Sequence, residues 1–335
     1  MANYLGPESP RPFAVISETY RNRLKIPQYR EDEQHSFGET WEENMFQLIH
    51  KHLELGTADR FCYIGEDKGS LVEKIEHKFC LLEPTCSVIP GCNAHVETIC
   101  KTKRVSIPIA GVGAEEYFEK MARDAPYKGP SFDRVLLMDC IQYFENPREF
   151  YGNVMRTVSD FGKILVIHRP GSMNSLPYPR DALIRVQEKD HPYMQIIRDL
   201  QNHNFDVQWE IETLPIIMPK VKWLAMIRDR YPSQLEAISN FEVSAGMREL
   251  CEGSLKYEGE MIEFIDRLLF ITASRNLSQS GMPIVKRWGN VGKPQPTPTG
   301  QALNLRLEVT PDIARYVQKK DWKPKDEKRY PYSGN

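Results

Sequence analysis

Strand-like runs and helix-like stretches alternate along the middle of the chain, and this alternation constrains the fold more than any other feature. Short runs rich in β-branched and aromatic residues predict strands at Arg60–Gly65, Lys78–Glu83, Arg104–Ile109, Arg134–Asp139, Lys163–His168, Asp206–Thr213 and Arg267–Ser274. Amphipathic stretches between the first five predict helices at about 70–77, 86–100, 113–124 and 147–159. Such alternation is typical of an α/β fold with a mostly parallel sheet covered by helices on both faces.

The alternation stops before the last predicted strand. The interval between the last two strands holds helix-like segments at Lys220–Arg230, Pro232–Phe241 and Ser244–Leu250. We therefore predict an antiparallel strand pair at one sheet edge, with a helical cap at about 215–260 inserted before the last strand. The pattern of the run Trp223–Ile227 in this cap favours core packing.

Charge and proline divide the chain into a body and two extensions. The whole chain has 44 Lys and Arg against 46 Asp and Glu, a net charge of -2. Residues 276–335 alone carry a net charge of +6 and seven prolines, which leaves -8 on the remainder. Proline at this density blocks helices and interior strands. We predict an N-terminal extension at 1–38, a globular body at 39–275 and a basic tail at 276–335.

The cysteines and the apolar runs indicate a compartment. The seven cysteines form no C-x-x-C pair and several lie in apolar runs, which is typical of reduced, buried thiols. The N-terminus lacks a signal-peptide pattern, and no apolar run approaches the roughly 18 residues of a membrane span. We expect a cytoplasmic protein without a membrane or nucleic-acid partner and without a Cys/His metal cluster.

The first predicted strand leads into a glycine-containing turn within Phe61–Leu71. In nucleotide-binding α/β folds, such a turn presents backbone N–H groups to the ligand, and an acidic residue after the second strand binds the ribose hydroxyls. Gly65, Gly69 and Glu83 fit these positions. They are therefore candidate cofactor-binding residues.

Two later segments resemble class I S-adenosylmethionine-dependent methyltransferases. Phe132–Pro147 is similar to the fourth strand and following loop of that family, and Phe161–Arg169 is similar to its fifth strand. The resemblance covers about 60–275 and implies a seven-stranded Rossmann-like sheet ending in an antiparallel pair. Glu83–Thr85, Ala114–Tyr117 and the cap are most similar to the histamine N-methyltransferase group of small-molecule enzymes.

This resemblance implies a cofactor and a set of site residues. The cofactor would be S-adenosylmethionine, held by Gly65, Gly69, Glu83 and Asp139. The pocket after strands four and five has three candidate catalytic residues, Gln142, Tyr143 and His168. Because an amine substrate must present a neutral nitrogen, a nearby histidine or carboxylate can help the reaction. His168 also has a plain interpretation as a hydrogen-bonded structural histidine.

The cofactor loop departs from the family pattern acidic-x-Gly-x-Gly-x-Gly. Tyr63 stands at the acidic position, where it cannot accept the cofactor's ammonium, and Asp67 replaces the middle glycine. Glu66 and Asp67 place negative charge where the family receives the cofactor's carboxylate. Each such contact costs roughly 3–4 kcal/mol before screening. S-adenosylmethionine binding is therefore in doubt on chemical grounds.

Two hypotheses about function follow. The first is a non-catalytic pseudoenzyme scaffold, docked by its tails into an assembly with an acidic surface, such as a microtubule of the cytoskeleton or a cilium. The aromatic and basic residues of the tail suit such a surface, although the tail has two other interpretations, contact with the protein's own acidic body or plain solvation. The alternative is an active S-adenosylmethionine-dependent methyltransferase acting on a small-molecule amine.

Overall fold

The structure is a computed structural model that describes residues 29–66, 70–91, 107, 109–203 and 205–275. The helices in these ranges are α1 (Glu31–Gln34), α2 (Glu39–Leu53), α3 (Leu71–Phe79), α4 (Ala114–Lys128), α5 (Pro147–Thr157), α6 (Arg180–Lys189), α7 (Tyr193–Asn202), α8 (Lys220–Arg228) and α9 (Asn240–Glu252). The strands are β1 (Phe61–Ile64), β2 (Cys86–Val88), β3 (Phe132–Met138), β4 (Val158–His168), β5 (Phe205–Pro219) and β6 (Met261–Arg275).

The described strands form one mixed sheet in the order β2-β1-β3-β4-β6-β5. The first four are parallel, and β6 runs antiparallel to both β4 and β5. Ile109 adds an isolated parallel bridge to Ser87, on the open side of β2. A seventh strand was predicted at Arg104–Ile109, but its residues 104–106 and 108 lie outside the described ranges. The α/β class and the terminal antiparallel pair are confirmed.

The last two strands are longer than predicted. They pair with each other along their whole lengths, from Phe205 opposite Arg275 to Pro219 opposite Met261. Only Leu269–Ser274 of β6 also pairs with β4. The two strands therefore continue as a two-stranded ribbon past the carboxyl end of β4, and that extension later proves important for the site.

The prediction of a second strand at Lys78–Glu83 is wrong. The apolar residues there end helix α3, where Phe79 packs edge-on against Phe46 with ring centroids 6.5 Å apart. Leu82, three residues further on, is 78% exposed. The strand is instead β2, inside the interval 86–100 that was predicted as a helix; residues 92–100 lie outside the described ranges. A short apolar run at a helix end has the same composition as a strand, which explains the error.

Two hydrophobic layers cover the two faces of the sheet. One contains α2 and α8, and the other contains α4, α5 and α7. In α8, Trp223–Ile227 is completely buried, which agrees with the core-packing interpretation of that run. Phe37 packs against Trp41 with ring centroids 5.0 Å apart, so residues just before the predicted boundary at 39 also join this core. Within the described ranges, no helix has both the length and the apolar character needed to cross a bilayer.

Candidate cofactor and substrate site

The carboxyl ends of β1, β3 and β4 meet at one edge of the sheet, and a polar segment follows each. Gly65 and Glu66 follow β1, Asp139 follows β3, and Arg169 follows β4. Open α/β sheets bind their ligands at this edge. Asp139 adopts a left-handed conformation with φ 44°, which turns the chain sharply as it leaves the strand. This edge is therefore the place to look for a site.

The centre of this edge is a buried cluster around Arg169. Its guanidinium makes a two-pronged contact with Asp266, Nε to Oδ1 at 2.8 Å and Nη2 to Oδ2 at 2.9 Å. Its Nη1 donates to Asp139 Oδ2 at 2.6 Å. Burial alone would lower the pKa of Arg169, but the two carboxylates outweigh it and raise that pKa above its usual range. We call Arg169, Asp139 and Asp266 the buried triad.

Asp266 reaches the triad because the β5–β6 ribbon extends beyond β4. It is fully buried, and its Oδ2 also accepts a hydrogen bond from Trp41 Nε1 at 3.3 Å. Asp266 was not among the predicted site residues, because the last predicted strand begins at Arg267. The available signal was a carboxylate in register with the apolar residues Ile262, Phe264 and Leu268 on one face of the strand, since charged residues are rarely buried unless paired.

Gly65 lies against the protein's own Tyr63. A Cβ atom added at Gly65 would stand 2.7 Å from Tyr63 Oη and 2.8 Å from Cζ, closer than unbonded atoms approach. The Tyr63 hydroxyl donates to the carbonyl of Glu66 at 3.1 Å. The Tyr63 side chain therefore lies against Gly65 and Glu66, the first two residues after β1, and this contact alone accounts for a glycine at position 65.

Tyr143 lies between two carboxylates beside this turn. Its hydroxyl is 2.8 Å from Glu66 Oε1 and 2.7 Å from Glu236 Oε2. A phenol has one proton to donate, so only one of these contacts can be donated by Tyr143. Burial and the two carboxylates raise the pKa of Tyr143 far above its usual range, which keeps the hydroxyl protonated. The candidate Tyr143 is therefore at the carboxyl edge.

The cap closes over the same edge. Gln142 donates from Nε2 to the carbonyl of Asp139 at 2.8 Å and to Ser233 Oγ at 3.3 Å. Ser233 belongs to the cap, as does Gln234, whose side-chain amide donates to the carbonyl of Arg169. The candidate Gln142 therefore helps to fasten the cap onto the turns after β3 and β4.

A small cavity remains among these groups. Its volume is about 50 Å³, and its walls include Trp41, Tyr63, Glu66, Arg169 and Tyr231. That is room for a few water molecules, at roughly 10–15 Å³ each. Pockets that hold small-molecule ligands usually measure roughly 300–1,000 Å³. The cavity among the described residues is therefore of water-molecule size, and residues 67–69 and 92–106, which also follow β1 and β2, lie outside the described ranges.

Of the predicted cofactor-binding residues, Glu83 lies away from this edge, and Gly69 is not among the described residues. Glu83 precedes β2 instead of following it, so it is exposed at the opposite, amino-terminal edge of the sheet, near Arg60. The prediction of Glu83 as the ribose ligand fails with the strand assignment on which it depended. The residues that do follow β2 are Ile89, Pro90 and Gly91.

His168 faces away from the cavity. It follows Ile167 on β4, and side chains alternate between the two faces of a strand. Ile167 packs in the layer that contains Tyr63, whereas the register partner of His168, Leu269, packs in the other. His168 Nε2 lies 3.0 Å from Asp190 Oδ1. This placement agrees with the structural interpretation of His168.

The strand order identifies the architecture. The parallel strands are ordered outward from β1, with β2 on one side and β3 and β4 on the other, which is a doubly wound arrangement. An antiparallel pair completes the sheet, with the last strand β6 between β4 and β5, as the sequence resemblance implied. The chain has a class I methyltransferase fold. The methyltransferase-fold elements β1, β3 and β4 supply the turns of the candidate site described above.

Comparisons with known proteins place the chain among distant structural relatives. No family model matches the sequence, and no curated protein matches it. A putative methyltransferase from an antibiotic biosynthesis pathway of Anabaena variabilis is 14% identical, with 70% of this chain and 100% of that chain covered and a TM-score of 0.47. Phosphoethanolamine N-methyltransferase 2 of Haemonchus contortus, solved with S-adenosyl-L-methionine, is 16% identical over 77% of this chain and 60% of that chain, with a TM-score of 0.43.

The polar groups and the glycine at the carboxyl edge of the sheet mostly contact other side chains of the protein. Asp139 is engaged by Arg169, Gly65 by Tyr63, and Gln142 by the cap. Glu66 and Glu236 give the neighbourhood of the cavity a negative character.

Proposed function

We propose that this chain is a methyltransferase-fold pseudoenzyme, a scaffold that transfers no methyl group. The observation that supports this most directly is the buried triad. The Arg169 guanidinium fills the space beyond β3 and β4, where a class I enzyme brings cofactor and substrate together, and both carboxylates that hold it are buried. Removing a buried, paired charge costs several kcal/mol. Opening this space for a ligand is therefore unfavourable.

The turn after β1 supports the same proposal. A class I enzyme needs backbone N–H groups exposed in this turn, whereas Tyr63 covers it here. The residues following β2, Ile89–Gly91, offer no carboxylate to ribose hydroxyls. Of the positions that would hold the cofactor, Asp139 contacts Arg169, Gly65 contacts Tyr63, and the position after β2 is occupied by apolar residues.

The tail provides the docking function in this proposal. Residues 276–335 carry a net charge of +6, with Trp288, Trp322 and Tyr330 among the basic residues. Aromatic anchors interspersed with basic residues suit an extended chain bound to an acidic protein surface. We propose an acidic filament as the partner, with the microtubule as its first test, and hence a cytoskeletal or ciliary site of action.

A second function has one observation in its favour. Glu66 and Glu236 lie near the cavity, and a pair of carboxylates suits the ammonium group of a small amine. An S-adenosylmethionine-dependent amine methyltransferase would need the cofactor to displace Tyr63 and Arg169 from their present contacts. The two proposals therefore differ in one measurable quantity, the affinity for S-adenosylmethionine.

Isothermal titration calorimetry of the full chain with S-adenosylmethionine tests the choice. The scaffold proposal expects no saturable binding up to millimolar cofactor, because binding would have to break the buried triad. The control is the exposed variant Glu83→Ala, which the amino-terminal position of Glu83 predicts to behave like the wild type. Saturable binding at micromolar cofactor would contradict the scaffold proposal and favour the enzyme.

Co-sedimentation with polymerised microtubules tests the docking function. We expect the full chain to pellet with microtubules and to lose most of this binding when four tail residues, Lys323, Lys325, Lys328 and Arg329, are replaced by Gln. A matched control replaces the same number of exposed basic residues on α4 and α5 by Gln, at Lys120, Arg123, Lys128 and Arg148. Equal losses in the two variants would show that net charge alone matters and would contradict docking through the tail.

A further inference from the structure

A second cluster lies on the far end of α2 from the candidate site. Lys51, in the last turn of α2, contacts two carboxylates of the edge strand β5. Its Nζ is 2.6 Å from Glu210 Oε2 and 2.8 Å from Glu212 Oε1. Residues 210 and 212 are two apart on a strand and therefore point to the same side. Trp41, at the cavity, is 10 residues before Lys51 in the helix, or about 15 Å away.

His52 adds a nitrogen ligand to these two carboxylates. Its side chain is 10% exposed and its ring stacks on Phe270, with centroids 5.0 Å apart and planes inclined by 28°. Its Nε2 atom is buried and has no hydrogen-bond partner among the described residues. An unpaired buried polar atom is costly, so its orientation toward Glu210 and Glu212 calls for an explanation.

The distances in this cluster are longer than hydrogen bonds. His52 Nε2 lies 3.5 Å from Glu212 Oε1 and 3.8 Å from Glu210 Oε2, whereas N–H···O bonds measure roughly 2.7–3.2 Å. Zinc bonds His nitrogen and carboxylate oxygen at about 2.0–2.2 Å, so neighbouring ligands of a tetrahedral ion stand about 3.3–3.6 Å apart. The three ligand atoms all lie within 4.8 Å of one another. Small side-chain rotations would bring them to a shared ion.

Lys51 is a cation that can leave. Its side chain is 53% exposed, and exposed ion pairs contribute little to stability. A divalent ion between the same carboxylates would replace one positive charge by two and would also satisfy His52 Nε2. The displaced ammonium would be hydrated in solvent.

We propose that His52, Glu210 and Glu212 form a binding site for a divalent transition-metal ion of the Zn²⁺ type, with Lys51 as the competing cation. One imidazole and two carboxylates suit Zn²⁺ and leave a fourth position for water or for a side chain of a partner. The site is independent of the candidate cofactor site, so it stands whether or not the scaffold proposal is correct.

Calorimetric titration of the chelator-treated full chain with Zn²⁺ tests the proposal, with Co²⁺ absorption in the visible range as a second readout. We expect this site to bind one Zn²⁺ ion per chain. His52→Gln and Glu212→Gln should each weaken it by about tenfold or more, since even outer-shell changes cost that much. Lys51→Met should strengthen binding several-fold, because it removes the competing cation. An ion pair with a purely structural role would give no such gain.

Two results would overturn the site. The first is the absence of Zn²⁺ binding in both the wild type and Lys51→Met. The second is binding that is unchanged in both His52→Gln and Glu212→Gln, which would place the ion on other residues. Thermal unfolding of each variant in chelator verifies that it folds. If His52→Gln does not fold, Glu210→Gln takes its place, and weaker Zn²⁺ binding by this variant is the expected result.

Discussion

Two clusters in this molecule share one composition, a basic side chain between two carboxylates, and lie in opposite environments. In the buried triad, the side chains of Arg169, Asp139 and Asp266 are 2%, 7% and 0% exposed. In the cluster at the end of α2, those of Lys51 and Glu210 are 53% and 57% exposed. The contact distances are similar, between 2.6 and 2.9 Å.

Because the two clusters differ in burial and not in contact distance, contact geometry alone does not determine the function of such a cluster. A buried charge that loses its partner costs roughly 3–5 kcal/mol, whereas an exposed pair is worth about 0–1 kcal/mol. The buried triad is therefore expensive to open, which is the basis of the scaffold proposal. The exposed cluster can exchange its cation for another at little cost, and this is the property that a metal site requires.

The largest expected effect comes from breaking the buried triad. Asp266→Asn removes the charge opposite Arg169 and should lower the free energy of unfolding by about 3–5 kcal/mol. Urea denaturation followed by circular dichroism measures the change. Glu210→Gln in the exposed cluster is the matched control and should cost at most about 1 kcal/mol.

Equal losses of stability for these two substitutions would contradict the conclusion that burial makes the triad more costly to disrupt than the cluster around Lys51. If Asp266→Asn is too unstable to purify, Trp41→Phe offers a milder test. It removes the hydrogen bond to Asp266 Oδ2 and replaces the buried indole by a smaller ring, for which about 1–3 kcal/mol is expected.

The next effect concerns Gly65 and the ring that covers it. Gly65→Ala should cost about 1–3 kcal/mol, because the new Cβ would meet Tyr63 at 2.7 Å. In a Tyr63→Leu background the same substitution should cost much less, since the ring is gone. A double-mutant cycle measured by urea denaturation gives the coupling energy.

Additive costs in this cycle would contradict the assignment of Gly65 to Tyr63. The glycine would then have to be explained by something else, and the approach of a cofactor to the backbone would return as the leading explanation. This cycle therefore tests the scaffold proposal by a route independent of ligand binding.

The sequence predicted most of the sheet because parallel strands buried on both faces leave a continuous apolar run. β1, β3 and β4 have that signal. β2 does not, since it has three residues and a serine in the middle, and the apolar end of α3 imitated it. Glu83 was consequently placed at the wrong edge of the sheet.

The candidate site was only partly readable. Asp139 ends one predicted strand and Arg169 follows another, so both could be located, although the contact between them could not. Asp266 is 97 residues from Arg169 in the chain, and it reaches the site only through the extended ribbon. The departures at Tyr63 and Asp67 were visible in the loop, but the position of the tyrosine ring over Gly65 required the fold.

The smallest expected effect separates the two clusters by salt. Lys51→Met should lower the free energy of unfolding by at most about 1 kcal/mol in chelator at low ionic strength, because exposed pairs are weak. The Debye length falls from about 10 Å at 0.1 M salt to about 3 Å at 1 M, so this small difference should shrink in 1 M NaCl. The difference caused by Asp266→Asn should persist, because buried pairs are screened much less. Because Met keeps most of the lysine stem, a persistent Lys51→Met difference at 1 M NaCl would show that salt does not screen the hydrogen bonds from Nζ to Glu210 and Glu212. The cation of this cluster would then be less exchangeable than we infer.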